Sequence, residues 1–194
     1  MAEAITAVPW IRGDNPPLRL AFRNVDGEPL DITNAVLRGS LRRRYGDPAL
    51  VSATSYPGGR IVKTAPVDGL AVWLPLISQT HDLPVSDLVG DVEVTVTDEV
   101  VAAGSVSVTQ GNTLIAFGGG LTGVVPHIGD ILHITSGDPD NVGRFAITRI
   151  TNGSIYIEDF SAWVTQGAET ATLYRGQRQT PIRFILGVAA DATR

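Results

Sequence analysis

The sequence predicts an all-β fold. Three observations carry that reading: apolar and polar residues alternate with period two over many short runs, helical spacing is nearly absent, and turn residues punctuate the chain at short intervals. The 21 glycines and 12 prolines are scattered along the chain, as tight turns between short strands require. An apolar fraction of 43% over 194 residues is enough for a buried core.

Ala7–Ile11 reads as a first edge strand. Leu18, Leu20 and Phe22 then point one way, and Arg19 and Arg23 the other. Asp26-Gly27 is a turn, because Gly tolerates positive φ, and Glu28-Pro29-Leu30 continues as an extended connection. Leu70, Val72, Leu74 and Leu76 repeat the alternation, with Trp73 on the opposite face. Ser78–Leu88 breaks it and is expected to be a loop with one short helical turn. Val92, Val94 and Val96 alternate with Glu93, Thr95 and Thr97, and Val106 and Val108 finish the run. About seven short strands in roughly one hundred residues have the size and rhythm of an immunoglobulin-like β-sandwich.

Gly111 and Asn112 mark the expected boundary between a sandwich over residues 1–110 and a small β-barrel or β-sandwich over 111–194. Strands are expected in the second part at Thr113–Phe117, Val124–Ile128, Ile131–Thr135, Arg144–Ile150, Ser154–Asp159, Ala171–Tyr174 and Ile182–Val188. Asn152-Gly153 is a hairpin signal, since both positions favour the left-handed region. Gly118-Gly-Gly120 is followed by neither Lys-Ser/Thr nor a clear helix, so it reads as a joint or bulge and not a phosphate loop.

Net charge is −5, from 15 basic and 20 acidic residues, which argues against a nucleic-acid partner. Without cysteine, disulfides and thiolate metal sites are excluded. No secretory signal is apparent, and with no apolar run of about 18 residues no transmembrane helix is expected. Lys63 is the single lysine; the other basic residues are arginine, whose planar fork suits interfaces.

No constellation carries chemistry. His81, His127 and His133 have no metal spacing, and His81-Asp82 lacks an accompanying nucleophile. Asp138, Asp140 and Asn141 could offer oxygens to a hard cation, but a polar turn with Asx bonds fits the spacing better. Arg12-Gly13-Asp14 matches an adhesive tripeptide that recurs by chance. Arg42-Arg43-Arg44-Tyr45 alternates faces in a strand, so it reads as a solvated strand end or an interface rim. No cofactor and no metal are expected. Interface candidates are Trp10, Arg42, Arg44, Trp73, Trp163 and Phe184, of the types that anchor interfaces. Trp73 is exposed or partner-covered if the Leu70/Val72/Leu74 row fills the core; otherwise the second part or the 78–88 loop covers it.

Gly13-Asp14 after the first strand, Asp26-Gly-Glu-Pro-Leu-Asp-Ile-Thr-Asn-Ala35, Gly69-Leu-Ala-Val-Trp-Leu74 and Val89-Gly-Asp-Val-Glu-Val-Thr-Val96 together resemble the immunoglobulin-like N-terminal domain of upper baseplate proteins of tailed phages. The resemblance covers roughly residues 5–109. Val125-Pro-His-Ile-Gly-Asp-Ile-Leu-His-Ile-Thr-Ser-Gly137 and Asn141-Val-Gly-Arg-Phe-Ala-Ile-Thr-Arg-Ile150 are more weakly similar to small β modules of phage structural proteins. The resemblance implies a non-enzymatic virion component of a tail, baseplate, fibre base or capsid surface. It would be assembled in the host cytoplasm, with other virion proteins and symmetric copies of itself as partners. Ala4–Trp10 and Pro181–Val188 are the segments expected to add to a neighbour's sheet. The alternative is a carbohydrate-binding module, with Trp73 and Trp163 stacking on a host glycan.

Overall fold

The computed structural model describes residues 10–14, 16–109, 114–151, 154–157, 164–179 and 181–189. It is nearly all strand, as the alternation predicts. Its spine is one strand of 23 residues, Asp87–Thr109, the seventh in chain order (β7). Rich in Val and Thr and free of proline, this stretch has the residues that favour pleated backbone and nothing that removes a ladder donor.

The first half of β7 carries β3 (Val36–Arg42) on one edge and β14 (Ile182–Ala189) on the other. β3 in turn pairs with β4 (Val51–Thr54), and β14 pairs in parallel with β1 (Trp10–Ile11). A second sheet runs β2 (Leu18–Ala21), β6 (Leu70–Trp73), β5 (Ile61–Ala65). The two sheets enclose one core of Leu18, Leu20, Phe22, Leu37, Leu41, Trp73, Leu88, Val92, Phe184 and Leu186, among others. Gly39 is there because Trp73 needs the space: a Cβ at Gly39 would lie 2.8 Å from the indole ring.

The second half of β7 pairs with β13 (Gln166–Arg178) and β8 (Leu114–Gly118). β13 continues to β9 (Ile131–Ile134) and then β10 (Gly143–Ala146); β8 continues to β12 (Ser154–Tyr156) and then β11 (Arg149–Thr151). Between β10 and β11, the Ile147 N–H donates to the Asp130 carbonyl and the Thr148 N–H to the Tyr156 carbonyl. One chain segment therefore joins both ends of the path, and the pairings close into a small barrel. Val106, Ile115, Leu132, Ile134, Phe145, Ile155 and Leu173 belong to its core.

The boundary expected at residue 110 does not divide the packing. β14, from the far end of the chain, completes the first core, while Val36 and Tyr56 belong to the second. Gly111 and Asn112 lie outside the described residues, as do Asn152 and Gly153, although Thr151 does pair with Ser154. The expected helical turn is α1 (Ile77–Thr80). Val124–Ile128 was expected as a strand and is a loop, with Val125 and Ile128 exposed; their alternation has no neighbouring strand to pair with. Gly118 ends β8, and Gly119–Leu121 forms a 3₁₀ turn that lets the backbone at Gly120 approach that of Ala103 and Gly104. No described helix is long and apolar enough to cross a membrane.

The contact between Gly39 and Trp73 makes the sandwich core intolerant of bulk. Gly39→Val is expected to cost at least about 1–3 kcal/mol, the usual range for overpacking, read as a lower urea midpoint. An unchanged midpoint would show that Trp73 is free to move aside.

Candidate functional site

Among the described residues, the sandwich presents two outer surfaces. The first covers β4, β3, β7 and β14. Leu37, Gly39 and Leu41 point inward, so Arg38, Ser40 and Arg42 point out. Arg38 stands opposite Glu93, and Ser40 opposite Asp91. The Ser40 hydroxyl donates to Asp91 Oδ1 at 2.5 Å, and Arg42 Nη1 to Asp91 Oδ2 at 2.9 Å. Arg178 Nη2 donates to Glu93 Oε2 at 2.6 Å. The Arg183 guanidinium lies 5.2 Å from the centroid of the Tyr45 ring. Arg38, Ser52, Asp91, Glu93 and Arg178 help line an open groove of about 150 Å³. Ion pairs at a protein surface contribute at most about 1 kcal/mol each. The two carboxylates are thus held by hydroxyl and guanidinium donors.

The second surface is the outside of the three-stranded sheet. Leu70 and Leu74 are exposed at 40% and 41%, with half-buried Val72 between them and Val62, at 45%, directly across from Val72. Leu76 and exposed Ile77 extend the row toward α1. This is the row that the sequence reading treated as a candidate core. The structure inverts the faces: Ala71 and Trp73 go inward, and the leucines go outward. The physical reason is the ring. Only the inner face has a glycine opposite to receive an indole.

The same geometry corrects three of the expected interface residues. Trp10, Trp73 and Phe184 are core side chains, fully or almost fully buried. Within Pro181–Val188, one edge of β14 is taken by β7 over Ile182–Gly187, and the opposite edge meets β1 only at Val188 and Ala189. Arg42 belongs to the polar surface, and Arg44 is exposed in the connection between β3 and β4. Trp163 and residues 4–9 lie outside the described residues. Sequence reasoning missed Arg38, Arg178 and Arg183. The Arg-x-Ser-x-Arg spacing of 38–42 was the available signal for β3, whereas no local pattern brings residues 178 and 183 to it.

Elsewhere the polar groups serve the fold. Arg12-Gly13-Asp14 is a turn closing β1, with the Asp14 N–H donating to the Ile11 carbonyl and the Thr80 hydroxyl to that of Asp14. The loop of Asp138 is an Asx turn: the Asp140 N–H donates to Asp138 Oδ1 at 2.9 Å. Buried Asn141 bonds both the N–H and the carbonyl of Val164, and donates to Glu169 Oε1 at 2.9 Å. Glu169 is turned inward just after a register shift in the β13–β7 ladder, where Ala168 has φ 59°. Buried Asp130 is met by Arg175 Nη1 at 2.8 and 3.0 Å and by the His127 N–H at 2.8 Å. His81 pairs with Asp82 at 2.8 Å on the surface. Among the described residues, no group of three His, Asp or Glu side chains is placed to hold a metal ion.

Lys63 stands apart. It extends from β5 to donate to the Ala35 carbonyl at 2.6 Å and the Thr33 carbonyl at 3.0 Å. Burial first, and the charge of Arg144 second, lower its pKa to about 8 against a weak opposing pull from Asp31.

No protein-family model, curated protein or solved structure matches the chain.

The lowered Lys63 pKa has a signed consequence. The unfolded chain keeps this proton up to about 10.5, while the folded protein releases it near 8. Between those values unfolding takes up a proton, so the lysine makes stability rise with pH. Urea midpoints from pH 7 to 10.5 are expected to rise more in the wild type than in Lys63→Met. Parallel curves would contradict the buried ammonium.

Proposed function

We propose that this chain is a non-enzymatic structural subunit of a tailed-phage or phage-like particle, working through protein contacts. The observation that carries the assembly reading is the apolar row Leu70, Val72, Leu74 and Val62 on the outside of a sheet. Scattered apolar residues on a surface need no explanation, but a contiguous exposed row is a contact surface in search of a partner. The arginine-lined face beside the groove supplies the polar component typical of interfaces. The resemblance over residues 5–109 supplies the phage setting. Tail, baseplate, fibre base and capsid surface remain equal positions for such a subunit, with itself and other virion proteins as partners.

The carbohydrate-binding alternative loses its main described platform. Trp73 is wholly buried, so it offers no ring face to a sugar. A hydrolase would need a nucleophile and base, or two carboxylates around one open site. Asp91 and Glu93 are the acids lining the groove, and both are engaged by donors.

Sedimentation tests the assembly reading. The wild type is expected to form a complex larger than its 20.5 kDa chain. Leu70→Lys with Leu74→Lys is expected to return it to that mass without lowering the melting temperature. Mass spectrometry of particles from the source organism is expected to find the chain. A wild-type monomer at all concentrations, together with particles that lack the chain, would overturn the proposal.

A further inference from the structure

We propose that Arg144, with His133 beside it and Lys63 approaching from the sandwich, forms a receptor for an oxyanion group. Arg144 of β10 stands directly opposite His133 of β9. Its guanidinium carbon lies 5.1 Å from the centroid of the Tyr174 ring, and the His133 ring lies 6.4 Å from the same ring. Arg144, His133 and Tyr174 thus gather on one patch of β10, β9 and β13.

The sandwich meets this part of the barrel. Tyr56 packs on Phe145 with ring centroids 5.2 Å apart, and Pro57 fills the space over Gly143. Lys63 of the sandwich holds its ammonium on the Ala35 and Thr33 carbonyls at 2.6 and 3.0 Å, where the Arg144 charge also reaches it. Burial first, and Arg144 second, also hold His133 below its ordinary value.

No described carboxylate forms an ion pair with Arg144 or Lys63. Asp31, the acid that acts on Lys63, is itself exposed and accepts from the Thr33 N–H at 2.8 Å. Arg144 Nη1 is shielded from solvent and has no hydrogen-bond partner. A buried donor without an acceptor is unfavourable. An oxyanion supplies that acceptor, and the planar fork of an arginine suits phosphate and carboxylate alike. The arginines of the outer groove differ in this respect, since Arg42 and Arg178 already hold Asp91 and Glu93.

The oxyanion has two possible sources: free phosphate, or a carboxylate presented by a bound protein. Titration calorimetry with inorganic phosphate and with acetate, each against chloride at matched ionic strength, separates them. NMR of the His133 ring locates the binding. Saturable phosphate binding without acetate binding assigns a phosphate site. Binding of both assigns a general oxyanion site that a partner's carboxylate can fill, and acetate alone assigns a carboxylate site. In each supporting case Arg144→Gln is expected to weaken binding by about tenfold or more, while Arg42→Gln on the outer face leaves it unchanged. Arg144→Lys, which keeps the charge but loses the fork, serves if the glutamine variant does not fold; it is expected to bind measurably more weakly than wild type. Neither anion exceeding chloride, or an Arg144 variant binding as wild type does, would overturn the proposal.

Discussion

Everything in this molecule hangs on the continuity of β7. Its 23 residues would span roughly 75 Å if fully extended. A strand that long cannot keep one flat face toward a single core, because strands twist with a fixed hand. The chain resolves this by using the two halves differently. The first half is the middle of a sandwich sheet, and the second is a stave of the barrel. β13 and β14 run back along one edge of the whole strand, and register shifts in the β13–β7 ladder absorb the bend.

That arrangement determines what is left outside. The inward face of β3 is spent on Leu37, Leu41 and the glycine that receives Trp73. Its outward face then carries Arg38, Ser40 and Arg42 against the outward acids of β7. Trp73, by turning inward, sends Leu70 and Leu74 outward. The polar groove and the apolar row are therefore two results of one packing decision. The charged cluster around Arg144 arises differently, where β10 of the barrel meets the end of the sandwich.

Much of the fold was legible because period-two alternation is a local property. Leu18/Leu20/Phe22, Val92/Val94 and Ile182–Val188 point as their spacing implies. Which face is inside is a different matter, and β6 shows why. Leu70, Val72 and Leu74 look more like a core than Ala71 and Trp73 do. The choice depends on Gly39, which is far away in sequence and adjacent in space. The same holds for β14: nothing local says that the last strand returns to the first core. The site was less legible still. Arg42 and Arg44 were visible as a basic run, but Arg178 and Arg183 reach the surface through long-range pairing. The isolation of Arg144 shows only when its neighbours are known. Buried Glu169 was hidden for a related reason, since a bulge had shifted the alternation that would otherwise have exposed it.

A shared strand has a thermodynamic signature. If β7 binds the sandwich and the barrel into one body, neither core can melt without unpairing the other's edge. Differential scanning calorimetry of the intact chain is expected to show a single transition whose calorimetric and van't Hoff enthalpies agree. Two separable transitions, or a calorimetric enthalpy well above the van't Hoff value, would contradict the account and restore two independent units divided near residue 110.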